Sequence, residues 1–204
     1  MKKIRVAING FGRIGRAFLK VAWDRPEIEI VAVNDLGDIA NMAYLLKYDT
    51  AYGKWKHENI AYEGADLIID NKKVKFLSEN DPTKLIWKDL EIDVVVESTG
   101  VFVTYEKAKV HLQAGAKKVV VTAPMKDNPK DAGVEGATIL LGVNEEYFGK
   151  CDITSNASCT TNAASPLIAI LDETLGIEKA LLSTTHALTN SQPTVDSINK
   201  HNIR

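Results

Sequence analysis

Only two cysteines, Cys151 and Cys159, occur in 204 residues. So sparse a pair is no disulfide framework for a secreted domain of this size, which points to reduced thiols and a cytoplasmic protein. No apolar stretch approaches the ~20 residues of a membrane-spanning helix. The start, Met1-Lys2-Lys3-Ile4-Arg5-Val6, leads into a strand pattern without an apolar signal segment. Charge of one sign is also scarce. A formal net charge of −2, with acids and lysines interleaved, gives no electrostatic reason to expect nucleic acid or an anionic membrane as partner. Internal repeats, low-complexity tracts and flexible linkers are missing. His57, His111 and His201 lack metal-ligand spacing and read as surface or structural residues, so no metal is expected. What remains has ordinary globular composition, 45% hydrophobic and 25% charged, enough for a real core.

Residues 4–8 are a short strand-like run, followed by a glycine loop. Residues 13–23 then read as a helix, with Ile14, Phe18 and Val21 at helical spacing. Residues 28–34 are the next strand. The charged, turn-rich stretch 47–81 is expected to hold short antiparallel strands at 66–69 and 73–76, joined at Asn71. The runs Asp93-Val94-Val95-Val96-Glu97 and Lys118-Val119-Val120-Val121-Thr122 are nearly continuous in β-branched residues, which suits the interior of a parallel sheet covered on both faces. Between them, 106–114 reads as a polar helix with a solvated face, stopped at Gly115. Strand and helix in alternation predict an α/β fold, a doubly wound parallel sheet. Beyond Ile153 comes a polar turn, then a helix with Leu167, Ile170, Leu171 and Leu175 on one stripe and Gly176 as its stop. Pro166 is a candidate break near its start. Residues 180–185 resemble a strand. Trp23, Trp55 and Trp87 read as packing residues, and Cys151 as a packing thiol at a strand end.

Gly10-Phe11-Gly12-Arg13-Ile14-Gly15 is a G-x-G-x-x-G loop between a strand and a helix. Such loops occur widely, but here an acid, Asp35, stands at the end of the next strand, where the dinucleotide-binding fingerprint requires one. Glycines let the backbone approach a pyrophosphate, whose charge sits at the helix N-terminus. Asp35 can accept hydrogen bonds from the adenosine ribose and repels the 2′-phosphate of NADP, which favours NAD. The competing reading is a tightly packed glycine turn in a nucleotide-free α/β fold.

Ser158-Cys159-Thr160-Thr161-Asn162 precedes the Leu167 helix. A cysteine there feels the positive end of the helix dipole, which favours the thiolate. His186 in Thr184-Thr185-His186-Ala187 can supply a base from a strand end. Two readings fit these residues, a nucleophile with its base or a small buried thiol and an unrelated histidine. Sequence distance does not choose between them.

The runs Ile8-Asn9-Gly10-Phe11-Gly12-Arg13-Ile14-Gly15-Arg16, Val33-Asn34-Asp35, Glu97-Ser98-Thr99-Gly100-Val101-Phe102, Ser155-Asn156-Ala157-Ser158-Cys159-Thr160-Thr161-Asn162 and Thr184-Thr185-His186-Ala187 resemble the phosphorylating glyceraldehyde-3-phosphate dehydrogenases, collinearly across nearly the whole chain. The resemblance implies a Rossmann-type NAD-binding domain over residues 1–156 and the first part of an α+β catalytic domain over 157–204. It implies oxidation of glyceraldehyde 3-phosphate, with inorganic phosphate, to 1,3-bisphosphoglycerate through a thioester on Cys159, with His186 as acid–base catalyst. The implied cofactor contacts are Gly10, Phe11, Gly12, Arg13, Ile14, Asn34, Asp35, Thr99, Gly100 and Thr122. Ser158, Thr160 and Thr189 would hold the phosphates of the substrate and of the attacking ion. A homotetramer is implied for the full-length protein.

Some positions depart from the family pattern. Asn80 stands where a basic residue near the adenine is usual, Ser191 where an aspartate is frequent, and Ser197-Ile198 where strictly NAD-dependent members carry Leu-Pro. These changes leave mixed NAD and NADP use as an alternative. The family's catalytic domain also continues past the position of Arg204, so the chain reads as a fragment with little or no turnover on its own. Erythrose-4-phosphate dehydrogenase shares these motifs, and a non-catalytic NAD-binding module is the alternative of a different class.

Overall fold

The computed structural model describes residues 2–57 and 59–187. It opens with β1 (Ile4–Asn9), α1 (Arg13–Ala22) and β2 (Ile28–Asn34). The two strands pair in parallel, with Ile4 opposite Ile28 and Asn9 opposite Asn34. A parallel pair needs a crossover, which α1 supplies. Its buried stripe differs from the expected one. Ile14 and Val21 are 56% and 71% exposed, whereas Gly15, Leu19 and Ala22 are buried. The cause is the approach of the helix to β1 at Gly15, where a Cβ would stand 2.1 Å from the Gly10 carbonyl oxygen. That contact selects the face, and positions four and seven residues on follow it.

The next helix, α2 (Ile39–Lys47), has no counterpart in the sequence reading, although Asp38 caps it by accepting from the Asn41 N–H at 3.0 Å. A two-stranded ladder of β3 (Tyr48–Asp49) and β4 (Gly53–Lys54) follows. Then β5 (Ile60–Glu63), β6 (Asp66–Ile69) and β7 (Lys72–Leu77) form an antiparallel meander. The expected hairpin turn is present, with Asp70 and Asn71 both at positive φ. Not foreseen is that β7 lies parallel to β2, Ala32 opposite Lys75, so the hairpin extends the main sheet.

On the other side of β1 lies β8 (Val94–Glu97), with Val6 opposite Val94. The single helix expected over 106–114 is two short ones, α3 (Tyr105–Ala108) and α4 (Val110–Gln113), divided at Lys109. It is not a merely solvated face either. Tyr105, Ala108 and His111 are buried, the first two against Val119, Val121 and Ile153. β9 (Lys118–Val121) pairs with β8, and β10 (Gly136–Thr138) and β11 (Ile153–Ser155) complete the edge.

Among the described residues nine strands form one sheet, ordered β10-β11-β9-β8-β1-β2-β7-β6-β5. From β7 to β10 all neighbours are parallel. Val6, Ile8, Val33 and Val96 pack into one core, Ala7, Ala32 and Val95 with Trp87 and Ile92 into the other. Both faces are therefore covered, as the β-branched runs require. Strand order reverses between β1 and β8, and such a switch point opens a crevice at the strands' carboxyl ends.

The last helix, α5 (Cys159–Leu175), continues through Pro166, against the expected break. The proline removes one backbone donor, which a helix of 17 residues absorbs. Leu167, Ile170, Leu171 and Leu175 are all exposed among the described residues. The strand expected at 180–185 is absent, because no described strand lies beside it to form a ladder. No described helix is long and apolar enough to cross a membrane.

Candidate active site

At the switch point a cleft of about 370 Å³ is lined by Asn9, Gly10, Gly12, Asn34, Asp35 and Leu36 on one side and by Glu79, Asn80, Ser98, Thr99 and Val101 on the other. The chain enters it at Gly10, whose N–H donates to the Asn34 carbonyl at 2.8 Å while its own carbonyl accepts from the Ser98 hydroxyl at 2.6 Å. Gly10 has φ +90°, and a Cβ there would meet the Thr99 backbone nitrogen at 2.6 Å. At Gly12, by contrast, a Cβ would meet nothing within 4 Å. The loop is thus pinned against β8 at one glycine and open at the next. That is the cradle a pyrophosphate needs, beside the N-terminus of α1. By this test the residues present fit a dinucleotide.

Asp35 stands at the cleft wall, with both carboxylate oxygens already in use. One accepts from the Phe11 N–H at 2.6 Å and the other from the Gly37 N–H at 2.8 Å. Each keeps lone pairs for a ribose. Phe11 itself is fully buried in the core. Arg13 and Ile14 project from the start of α1, Arg13 within 3.6 Å of Asp49. Arg16, three residues on, turns inward and donates to the Phe11 carbonyl at 2.8 Å; burial lowers its pKa and leaves its Nε unpartnered. The Asn34 amide is committed to the structure, donating to Asn9 Oδ1 at 2.8 Å and to the Glu79 carbonyl at 3.0 Å. Thr122 is bonded through N–H and hydroxyl to the Glu97 carbonyl.

Behind the cleft lies a buried polar cluster that the sequence reading did not assign. Glu97 and His111 are 2% and 0% exposed and meet at 3.0 Å; Trp87 Nε1 donates to His111 Nδ1 at 3.2 Å. A signal existed for Glu97, a single acid closing the apolar β8 run at the switch point. For His111 there was none beyond its type. His57 has a structural setting, its ring nitrogens on Asp24 and Asp70 and its face edge-on to Trp55.

The second constellation sits on α5. Ser158 caps the helix, its Oγ accepting from the Thr161 N–H at 3.1 Å. Cys159 follows as first helical residue, where the dipole favours negative charge. Its Sγ lies 3.1 Å from His186 Nε2. The other ring nitrogen faces the Ala187 carbonyl at 2.5 Å, so Nδ1 carries a hydrogen and Nε2 is the atom that exchanges a proton with sulfur. The hydrogen bond from His186 lowers the Cys159 pKa, aided by the Thr160 backbone. The Ala187 carbonyl and the sulfur raise that of His186. Cys151 behaves oppositely, its thiol pushed up by burial. The two residues left apart by sequence distance are therefore brought together. Thr189, and with it Ser191, Ser197, Ile198 and His201, lies outside the described residues. Among the described residues no cluster of three or more His, Cys, Asp or Glu could hold a metal ion.

Two family models match stretches of the chain. Residues 4–105 match the family model of the glyceraldehyde 3-phosphate dehydrogenase NAD binding domain, and residues 158–204 that of the C-terminal domain. The chain is 48% identical over 195 residues to the glyceraldehyde-3-phosphate dehydrogenase of Thermotoga maritima, covering 94% of this chain and 56% of that protein. It is 46% identical over 200 residues to glyceraldehyde-3-phosphate dehydrogenase 2 of Bacillus subtilis, covering 97% and 56%. The cytosolic enzyme of Trypanosoma brucei brucei is 46% identical over 193 residues, covering 95% and 56%. The chain thus spans about 56% of the length of these relatives. A glycine cradle backed by Asp35 and a thiol–imidazole couple on a helix N-terminus find their common explanation in that match: the chain belongs to the glyceraldehyde-3-phosphate dehydrogenase family, and its residues 4–105 are that family's NAD-binding domain.

Proposed function

We propose that the protein of this chain oxidises glyceraldehyde 3-phosphate with NAD and inorganic phosphate, yielding 1,3-bisphosphoglycerate. The observation that carries the reading is the 3.1 Å approach of His186 Nε2 to the Cys159 sulfur at the N-terminus of α5. His186 takes the thiol proton on Nε2, and the thiolate adds to the aldehyde carbon to give a thiohemiacetal. The imidazolium then gives that proton to the substrate oxygen as the carbonyl is converted to the thiohemiacetal hydroxyl, and His186 takes it back as the carbonyl re-forms. NAD, when bound, would supply the hydride acceptor for oxidation of this carbon to the level of a thioester on Cys159. A phosphate oxygen attacks the thioester carbon and the Cys159 sulfur leaves as thiolate, which the helix dipole and His186 stabilise.

The dinucleotide would be held by Gly10, Gly12, Arg13, Ile14 and Asp35 toward its adenosine and pyrophosphate, with Phe11 and Asn34 shaping the loop through their own hydrogen bonds, and by Thr99, Gly100 and Thr122 toward the nicotinamide. The Asp35 carboxylate makes NAD the preferred cofactor over NADP. Ser158, Thr160 and Thr189 hold the phosphates. A boundary at 156/157 divides cofactor domain from catalytic domain, and the full-length protein is a cytoplasmic homotetramer.

The test uses the purified chain with NAD and glyceraldehyde 3-phosphate, and intact mass as readout. An acyl adduct on Cys159, absent from Cys159→Ser and cleaved by hydroxylamine as a thioester is, is expected. Cys159 staying unmodified while Cys151 and Cys159 react equally slowly with iodoacetamide would overturn the reading. A larger adduct yield with erythrose 4-phosphate would reassign the substrate.

A further inference from the structure

β2 and β7 end side by side at the cleft, with Asn34 opposite Leu77 in the ladder. One step on, the Asp35 N–H donates to the Leu77 carbonyl at 3.0 Å. The Asn34 side chain then continues the pairing. Its Oδ1 accepts the Glu79 N–H at 2.9 Å, and its Nδ2 donates to the Glu79 carbonyl at 3.0 Å. One backbone donor and one backbone acceptor fix the sense of that amide, so Glu79 is held on the strand end next to Asp35. Both residues line the cleft.

The Asp35 oxygens accept from the Phe11 and Gly37 N–H groups, and Glu79 Oε1 accepts from the Asp81 N–H at 2.8 Å. Backbone donors of this kind suit carboxylates. Among the described residues these two are the only charged groups in the lining, and their neighbours Leu36, Asn80 and Pro82 carry no charge. The nearby cations are engaged elsewhere. Arg13 lies 3.6 Å from Asp49, Lys84 lies 3.6 Å from Asp81, and the buried Arg16 donates to the Phe11 carbonyl. The cleft therefore presents two negative charges and no counter-charge. We propose that Glu79 is a second specificity-determining residue, acting with Asp35 to exclude by charge a dinucleotide phosphorylated on its adenosine ribose. Such a phosphate carries about −1.5 to −2 charges at neutral pH, and each carboxylate repels it. The inference rests on the NAD reading above, in which Asp35 meets that ribose.

The readout is the ratio of NADP to NAD affinity, from calorimetric titration of the purified 204-residue chain. Glu79→Gln keeps an oxygen for the Asp81 N–H and loses the charge. It should raise the ratio about 3- to 10-fold at low salt, as for a phosphate and a carboxylate several ångströms apart in a cleft that solvent reaches. Glu79→Asp keeps the charge on a shorter stem and should stay within about twofold of wild type. A role confined to the Asp81 hydrogen bond predicts the reverse order. Salt gives an independent reading. Between about 0.01 M and about 1 M the screening length falls from about 30 Å to about 3 Å, so the wild-type ratio should rise. The rise should shrink in Glu79→Gln and in Asp35→Asn, and be smallest in the double variant. An unmoved ratio in a folded Glu79→Gln protein, or a ratio that moves in Glu79→Asp instead, overturns the proposal. Should Glu79→Gln fail to fold, Asp35→Asn decides, and a salt-independent ratio there overturns it. Where wild type binds NADP too weakly to titrate, Glu79→Gln is compared in the Asp35→Asn background, and NADP still unbound by that double variant overturns it. Absence of NAD binding by the wild-type chain overturns the cofactor reading itself, whereas NAD binding with an unmoved ratio overturns this proposal alone.

Discussion

Asp35 clamps the glycine loop through Phe11, whose N–H it holds at 2.6 Å, before any ligand arrives. The acid does two jobs at once, since its other oxygen fixes Gly37 at 2.8 Å and the free lone pairs face the cleft. Replacement by alanine therefore removes more than a ribose contact. NAD affinity is expected to fall by about 1.5–3 kcal/mol, the worth of a hydrogen bond to a charged group, plus whatever ordering the loop then costs. A specificity role confined to charge predicts instead that Asp35→Ala gains NADP as readily as it loses NAD. Titrations with both dinucleotides separate these accounts, and a full gain of NADP binding would show that the clamp is dispensable.

The thiol pair gives a second expectation, with its sign set by the directions of shift. His186 lowers the Cys159 pKa and burial raises that of Cys151. Alkylation follows the thiolate, so the Cys159 rate should rise with pH at a lower pH than an ordinary cysteine, and Cys151 at a higher one. His186→Asn removes the main stabilising partner and should move the Cys159 rise upward, slowing the reaction at pH 7 by ~10-fold. The measurement is the iodoacetamide rate at each cysteine against pH, resolved by peptide mass. An unmoved Cys159 profile in His186→Asn would leave the helix N-terminus as the sole activating element.

The three loop glycines should separate by readout. A Cβ at Gly10 or Gly15 would strike backbone, at 2.6 Å from Thr99 N and 2.1 Å from the Gly10 oxygen, and Gly10 also has φ +90°. Either alanine variant should lose about 1–3 kcal/mol of stability, seen as a lowered Tm. Gly12 has free space and lines the cleft, so Gly12→Ala should leave Tm nearly unchanged and weaken NAD binding. A large Tm loss in Gly12→Ala, or none in the other two, contradicts this assignment.

Much of this was legible from sequence because it is local. The strand–glycine–helix order, Asp35, and the β-branched runs around Val95 and Val120 each declare themselves within a few residues. What was missed depends on contacts far apart in the chain. The buried face of α1 is set by Gly15 meeting Gly10, which no periodicity of Ile14, Phe18 and Val21 reveals. The Glu97–His111 cluster joins β8 to α4 through partners on β1 and β2. The 180–185 run shows the reverse error. Its β-like composition is real, but a strand is a property of a pair, and no described strand stands beside it. The Cys159–His186 couple was proposed as a chemistry, and its 3.1 Å geometry is tertiary information.

Ser158 offers the sharpest test of how cap and reactivity are linked. The family resemblance gives it to a phosphate, while the structure also makes it the cap of α5, with the Thr161 N–H at 3.1 Å. None of α5 is buried among the described residues, so the helix leans on local terms more than a packed helix would. Ser158→Ala should cost about 1 kcal/mol of helix stability and fray the first turn. Cys159 then loses part of the dipole field, and its alkylation should slow at neutral pH. Pro166→Ala acts on the same helix from inside, restoring a backbone donor and contributing up to about 3 kcal/mol. It should slow hydrogen exchange in the middle of α5 while leaving Cys159 reactivity unchanged, because the first turn is already formed. If reactivity instead rises with Pro166→Ala as it falls with Ser158→Ala, the thiolate is governed by the whole helix and not by the capped turn that carries it.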